Sequence, residues 1–153
     1  MVIQEDISYN HNTITLEGNM EKKTYPFYYG SVKQNFAKAV VAGGLVFVSG
    51  VSGREFETGR VKAVDVKVQT ETAWTKIKSI LEEVGATLDR IVKMVIYLRN
   101  AKDAHAYYDA SLTIFAKECS DLLKNPPAHS LVEAGLYLEE MLVEIDITAI
   151  LPE

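Results

Sequence analysis

Cysteine is almost missing: Cys119 is the only one in 153 residues. A single thiol cannot make an internal disulfide, so packing or assembly must hold the fold. Basic residues are in the minority, 16 against 21 acidic, for a net charge of −5. A nucleic-acid surface needs a basic stripe to neutralise phosphates, and this balance argues against one. No apolar run approaches the roughly 18 to 20 residues that span a bilayer. The start, Met-Val-Ile-Gln-Glu-Asp, lacks the basic and apolar regions of a signal peptide. A cytoplasmic protein with no membrane and no nucleic-acid partner is therefore expected. Glycine-rich phosphate loops, Gly-x-Ser-x-Gly elbows and nucleotide fingerprints are also lacking. No His/Cys/Asp spacing resembles a metal site, so no metal or other cofactor is expected. His11 and His105 read as lone surface histidines.

What is present suits one packed domain: 48% of residues are hydrophobic. Residues 1–35 read as an N-terminal extension. They are polar, with an alternating piece at 13–17 and an aromatic cluster at 25–29 that fit a short hairpin or edge strand. Residues 36–153 read as the single main domain. In "FAKAVVAGGLVFVSG" two β-branched runs flank Ala42-Gly43-Gly44, the pattern of a hairpin, and Thr58-Gly59 marks a turn in the loop after it. From Asp65 the apolar period changes to that of a helix, with Val66, Thr70, Ala73, Ile77, Ile80, Leu81 and Val84 on one face. Asp65 and Gly85 are its expected caps. A buried strand at 90–100 follows, then a second helix capped by Asp103 with Tyr107, Ala110, Ile114 and Phe115 on one face. "HSLVEAG" and "EMLVEIDITAIL" supply the last two strands.

The order β-β-α-β-α-β-β predicts an α+β fold, a two-layer sandwich with a mixed sheet and both helices on one face. The other sheet face is read as rich in Val, Ile and Leu. Two layers leave that face to water, so its burial by self-association is expected.

"GGLVFVSG", the helix running into "EEVGATLDRIVKMVIYL", "PPAHS" and "LVEIDITAI" together resemble the RidA (YjgF) family of small enamine/imine deaminases, over about residues 36–151. The resemblance implies a chorismate-mutase-like fold, a homotrimer with sites between subunits, and hydrolysis of short-lived enamines and imines to carbonyl compounds and ammonia. It also implies positions for the site. Glu144 falls where a glutamate positions the attacking water. Ser49 and Gly50 match the pocket-lining Ser-Gly at the end of the hairpin. His129 stands where the family carries the arginine of Pro-x-Arg-Ser, followed by Ser130. Phe36 replaces a tyrosine, Tyr108 a position that is commonly polar, and Leu131 a frequent cysteine.

His129 has three readings. It can anchor a carboxylate, although an imidazolium offers one good donor in a given direction where a guanidinium offers a fork. It can shuttle a proton to the leaving nitrogen. It can also satisfy a structural hydrogen bond at a strand start. Glu144 shares one strand face with Leu142, Asp146 and Thr148, opposite Val143, Ile145 and Ile147; on spacing alone that reads as a solvated face, and the positional match makes Glu144 the catalytic candidate. If Phe36, Tyr108 and His129 line one crevice, it suits a larger, uncharged or aromatic ligand. Arg54 and Arg60 are either solvated loop residues or a substitute cation from a neighbouring subunit. The leading expectation is hydrolysis of a non-standard imine or enamine through Glu144 and His129, with Phe36, Ser49, Gly50, Tyr108 and Ser130 binding the substrate. The alternative is a non-catalytic small-molecule-binding homotrimer of the same fold. Family members have been described as ribonucleases or translation inhibitors, a role the acidic balance opposes.

Overall fold

The computed structural model describes residues 12–16 and 20–153, with side chains from residue 21 onward. His11 and part of the N-terminal extension lie outside the described residues. One seven-stranded sheet runs in the order β1-β2-β3-β4-β7-β5-β6. Its strands are β1 (Asn12–Leu16), β2 (Met20–Tyr29), β3 (Val32–Ala42), β4 (Leu45–Ser52), β5 (Ile91–Leu98), β6 (Ala128–Glu133) and β7 (Val143–Ile150). All pairings are antiparallel except β5 with β6, which makes the sheet mixed. The helices α1 (Val66–Val84), α2 (Ala104–Glu118) and the short α3 (Asp121–Lys124) complete the fold. The predicted α+β order stands from residue 36 onward, and two further strands precede it. Among the described residues, no helix is long and apolar enough to cross a membrane.

Local chemistry explains most of the boundaries. The β3–β4 hairpin turns on Gly43 and Gly44, both at positive φ (57° and 76°), the requirement of a tight turn whose twist matches its strands. Pro26, which cannot donate to a ladder, sits where β2 loses register against β3. Asp65 caps α1 by accepting from Val68 N at 2.9 Å, and Gly85 ends it in the left-handed conformation. The whole predicted face of α1 is buried against the sheet.

Two expectations need correction at the second helix. Asp103 occupies the N-cap position of α2 without a capping hydrogen bond. The chain is already turning through a 3-10 segment at Ala101–Asp103, so the cap moves upstream to Asn100, which accepts from Lys102 N at 2.9 Å. The buried face of α2 includes Ser111, and Ile114 is only half-buried. Ser111 Oγ accepts from Trp74 Nε1 at 2.9 Å, satisfying the indole where α1 crosses α2, and Trp74 packs edge-on against Phe115.

The core lies between the helices and one sheet face, where Val46, Trp74, Ile77, Leu81, Ile96, Leu98, Val143 and Ile145 are almost fully buried. The opposite sheet face is less apolar than expected. Register places Val40, Phe47, Val95 and Val132 there, beside Lys93, Tyr97, Glu144, Asp146 and Thr148. Phe47 is 45% and Val132 42% exposed, so this face still holds apolar surface.

Candidate active site

The site begins with an irregularity in β4. Val48 pairs with Ile147 and Val51 with Ile145, so three steps on β4 match two on β7 and one residue is extra. This bulge keeps Val48 and Val51 both facing the core while Ser49 and Gly50 together oppose Asp146. Ser49 Oγ donates to Ala37 O at 2.6 Å, tying the bulge to β3. A Cβ at Gly50 would collide with the Glu144 carboxylate and lie 3.1 Å from Asp146 Oδ1, so only glycine leaves room for the two acids.

Around this bulge lies a cavity of about 490 Å³, lined by Tyr29, Gln34, Asn35, Phe36, Ser49, Gly50, Ser52, Arg54, Tyr137, Met141 and Glu144. Four of the expected site residues, Phe36, Ser49, Gly50 and Glu144, therefore share one wall system. Strand alternation separates the others. Glu144 pairs with Tyr97, and Tyr97 with Val132, so Ser130 and Val132 lie on the Glu144 face of the sheet. Ser130 Oγ accepts from Lys93 Nζ at 3.3 Å, two strands from β7 and outside the cavity. His129 points the other way. Its Nε2 lies 3.1 Å from the Tyr108 hydroxyl of α2, on the helix side. Within one chain, His129 and Tyr108 meet each other and do not meet Glu144.

The sequence reading missed Tyr29, Tyr137, Met141 and Lys76, and left Arg54 either a solvated loop residue or a substitute cation from a neighbouring subunit. Arg54 lines the cavity of its own chain. Its loop folds back through an Arg54–Val61 bridge and is joined to the β2–β3 turn by Gly30 N donating to Phe56 O at 2.7 Å. Lys76, buried on α1, donates from Nζ to Ser52 O (3.1 Å) and Arg54 O (2.6 Å), pinning the start of that loop. Tyr137 and Met141 are held by Arg99, which donates to Leu136 O, Leu138 O and Met141 O. These links run over long sequence separations. A glycine-and-proline pattern marks the loops without showing which wall they reach.

Electrostatics distinguishes Glu144 from an ordinary surface carboxylate. Burial, and then the nearby Asp146 carboxylate, raise its pKa, with the Lys76 ammonium opposing. Asp146 is also raised, chiefly by burial, while the Tyr97 hydroxyl, donating at 3.3 Å, opposes the rise. Burial lowers the Lys76 pKa from 10.5 to about 8, with the Arg54 charge adding to the effect. Tyr29 is raised, first by burial. A carboxylate held above its usual range, next to a glycine-lined opening, is a better base than an ordinary surface carboxylate and can relay a proton from water. Among the described residues, no cluster of three or more His, Cys, Asp or Glu side chains could hold a metal ion.

Relatives share this architecture. The Endoribonuclease L-PSP family model matches residues 31–151. A RutC family protein of Pyrococcus abyssi is 30% identical over 114 residues, covering 74% of this chain and 84% of its own. A 2-iminobutanoate/2-iminopropanoate deaminase of Dermatophagoides farinae is 29% identical over 80 residues, 52% of this chain and 62% of its own. Among solved structures, the Rid-family protein YyfA of Yersinia pestis superposes with a TM-score of 0.73 at 25% identity, over 85% of this chain and 99% of that one. The family match, the relatives and the fold agree: this chain belongs to the Endoribonuclease L-PSP family, the RidA (YjgF) family that its motifs resemble.

Proposed function

We propose that this protein hydrolyses a reactive imine or enamine to a carbonyl compound and ammonia, using Glu144 and a bound water. The observation that carries the reading is Glu144 itself: a half-buried carboxylate, raised in pKa, on a cavity wall that Gly50 leaves open to it. In the forward step Glu144 takes a proton from water as the oxygen forms a bond to the C=N carbon. The C=N electron pair moves to nitrogen, which takes that proton from Glu144, giving a neutral carbinolamine and restoring the carboxylate. Glu144 then takes the hydroxyl proton of that adduct as the C=O bond forms and passes it to nitrogen as the C–N bond breaks, so ammonia leaves and the carboxylate is regenerated. The demand on the protein is modest, because positioning and one proton relay suffice for compounds that already react with water.

The same proposal includes a cytoplasmic homotrimer with sites between subunits. The exposed edge strand β6, with His129 and Ser130, is then free to close a neighbour's cavity, which supports a pocket role for residues that stand apart in one chain. The wide cavity and the histidine in place of the motif arginine support a substrate other than the smallest imino acids. The hydrogen bond between His129 and Tyr108 favours the second reading, a trimer that binds a small molecule without turning it over.

Ammonia release from freshly generated 2-imino acids separates the two. Wild type is expected to accelerate release, and Glu144→Gln to lower the rate by about 100-fold or more, at the level of a lost general base. His129→Arg is expected to widen activity toward small imino acids. A Glu144→Gln variant as active as wild type sinks the mechanism.

A further inference from the structure

Arg54 occupies the cavity in an unusual state. Among the described residues it forms no salt bridge. Its position is nonetheless set: Nε donates to Gly59 O at 2.6 Å, and the guanidinium lies 4.1 Å from the Tyr29 ring centre and 6.0 Å from that of Tyr137. Stacking and a carbonyl bond orient the group without neutralising it. The Lys76 ammonium lies behind it, holding the Arg54 carbonyl at 2.6 Å, so a second positive charge backs the first. A fixed guanidinium lacking a carboxylate partner offers the fork geometry that a ligand carboxylate fits.

The rest of the lining mixes aromatic rings with polar groups. Phe36 is 47% and Tyr137 83% exposed, so two large rings on the lining are open to a ligand. A volume of about 490 Å³ is far more than a three-carbon acid fills, and falls in the range of roughly 300–1,000 Å³ that takes larger ligands.

From this arrangement we infer that the cavity takes a carboxylate-bearing imine with a planar aromatic side chain, its carboxylate on Arg54 and its ring against Phe36 and Tyr137. Arg54 then performs, from a different loop, the anchoring that His129 is poorly shaped for. The identity of the reacting group rests on the hydrolytic reading above; the recognition of the acid and the ring does not.

Binding can be measured without turnover, using 2-oxo acids, the products of that hydrolysis and stable mimics of the imines. The probes are phenylpyruvate, pyruvate and the uncharged phenylacetone, titrated calorimetrically into the full-length protein. Wild type is expected to bind phenylpyruvate about tenfold or more tightly than pyruvate. Arg54→Gln is expected to weaken phenylpyruvate roughly 10- to 100-fold, the scale of a lost charge-assisted pair, while phenylacetone binding is unchanged and reports an intact pocket. Arg54→Lys, which keeps the charge and loses the fork, should fall between the two. Tyr137→Ala should erode the preference for phenylpyruvate and leave pyruvate alone. Equal affinity for the two acids overturns the aromatic assignment. Acid binding untouched by Arg54→Gln overturns the anchor, and no binding of either acid by wild type overturns both. If Arg54-dependent binding holds while no ammonia is ever released, the hydrolytic reading fails and this one stands.

Discussion

At the scale of single residues, the pKa of Glu144 is the property to test. Asp146, Lys76, Tyr29 and Tyr97 all interact with it electrostatically, and burial and Asp146 push it upward while Lys76 opposes. Hydrolysis by the proposed route needs the ionised form, so activity should fall on the acid side as Glu144 protonates. Asp146→Asn removes a like charge and lowers the Glu144 pKa. The acid limb of the rate profile is therefore expected to move to lower pH in that variant, with the alkaline side little changed. A limb that stays in place shows that Asp146 does not tune Glu144. Because Asp146 sits one residue beyond Ile145 on the same face, the pair was visible in the alternation of "VEIDI". Its convergence on Gly50 was not, since that depends on a pairing across nearly a hundred residues.

At the scale of elements, Gln69 does what no apolar residue on α1 could. Fully buried, it donates from Nε2 to Ala63 O (2.9 Å) and Glu140 O (2.8 Å), and its Oε1 accepts from Leu142 N (2.8 Å). One amide thus joins α1 to the loop before it and to the segment entering β7. Gln69→Leu keeps the volume and strands three backbone groups, and is expected to cost about 3 kcal/mol or more in denaturant unfolding. A loss below about 1 kcal/mol means that water or a shift in the loops replaces those bonds. Helical periodicity identified the buried face of α1, with Thr70 and Ala73 among its members. It could not assign Gln69, since a glutamine on such a face reads as a boundary residue until its three distant partners are known. The same limit applies to Arg54, Arg99 and Lys76. The core strands and the caps of α1 follow from local pattern, whereas the cavity is built by side chains reaching backbone carbonyls far along the chain.

For the whole molecule, the issue is what covers the outer sheet face. Phe47 lies there opposite Val40 and Thr148, with Val132 exposed on the far edge. Apolar patches of this kind on a two-layer fold are met by self-association. Sedimentation is expected to give three times the chain mass of 17.0 kDa. Phe47→Glu, which puts a charge into that contact, should shift the protein toward the single-chain mass and reduce ammonia release with it. A wild type that sediments as one chain removes the assembly and any site shared between subunits. The expectation of such a contact came from the layer count. The polar residues on the face were not weighed in that inference: Glu144, Asp146, Tyr97 and Lys93 make a large part of it polar.

The extra residue in β4 also bears on how this site could arise or vanish. Val46, Val48 and Val51 all face inward, a parity that holds only because the chain takes one more step than its partner between the last two. Removing Gly50 would let Ser49 stand alone opposite Asp146 and would leave every inward valine inward. The hydrophobic pattern is thus indifferent to that residue, and the ladder would close more regularly without it. Core and opening are separable here by a single codon: a chain without Gly50 is expected to keep its inward valines and to lose the opening beside Glu144.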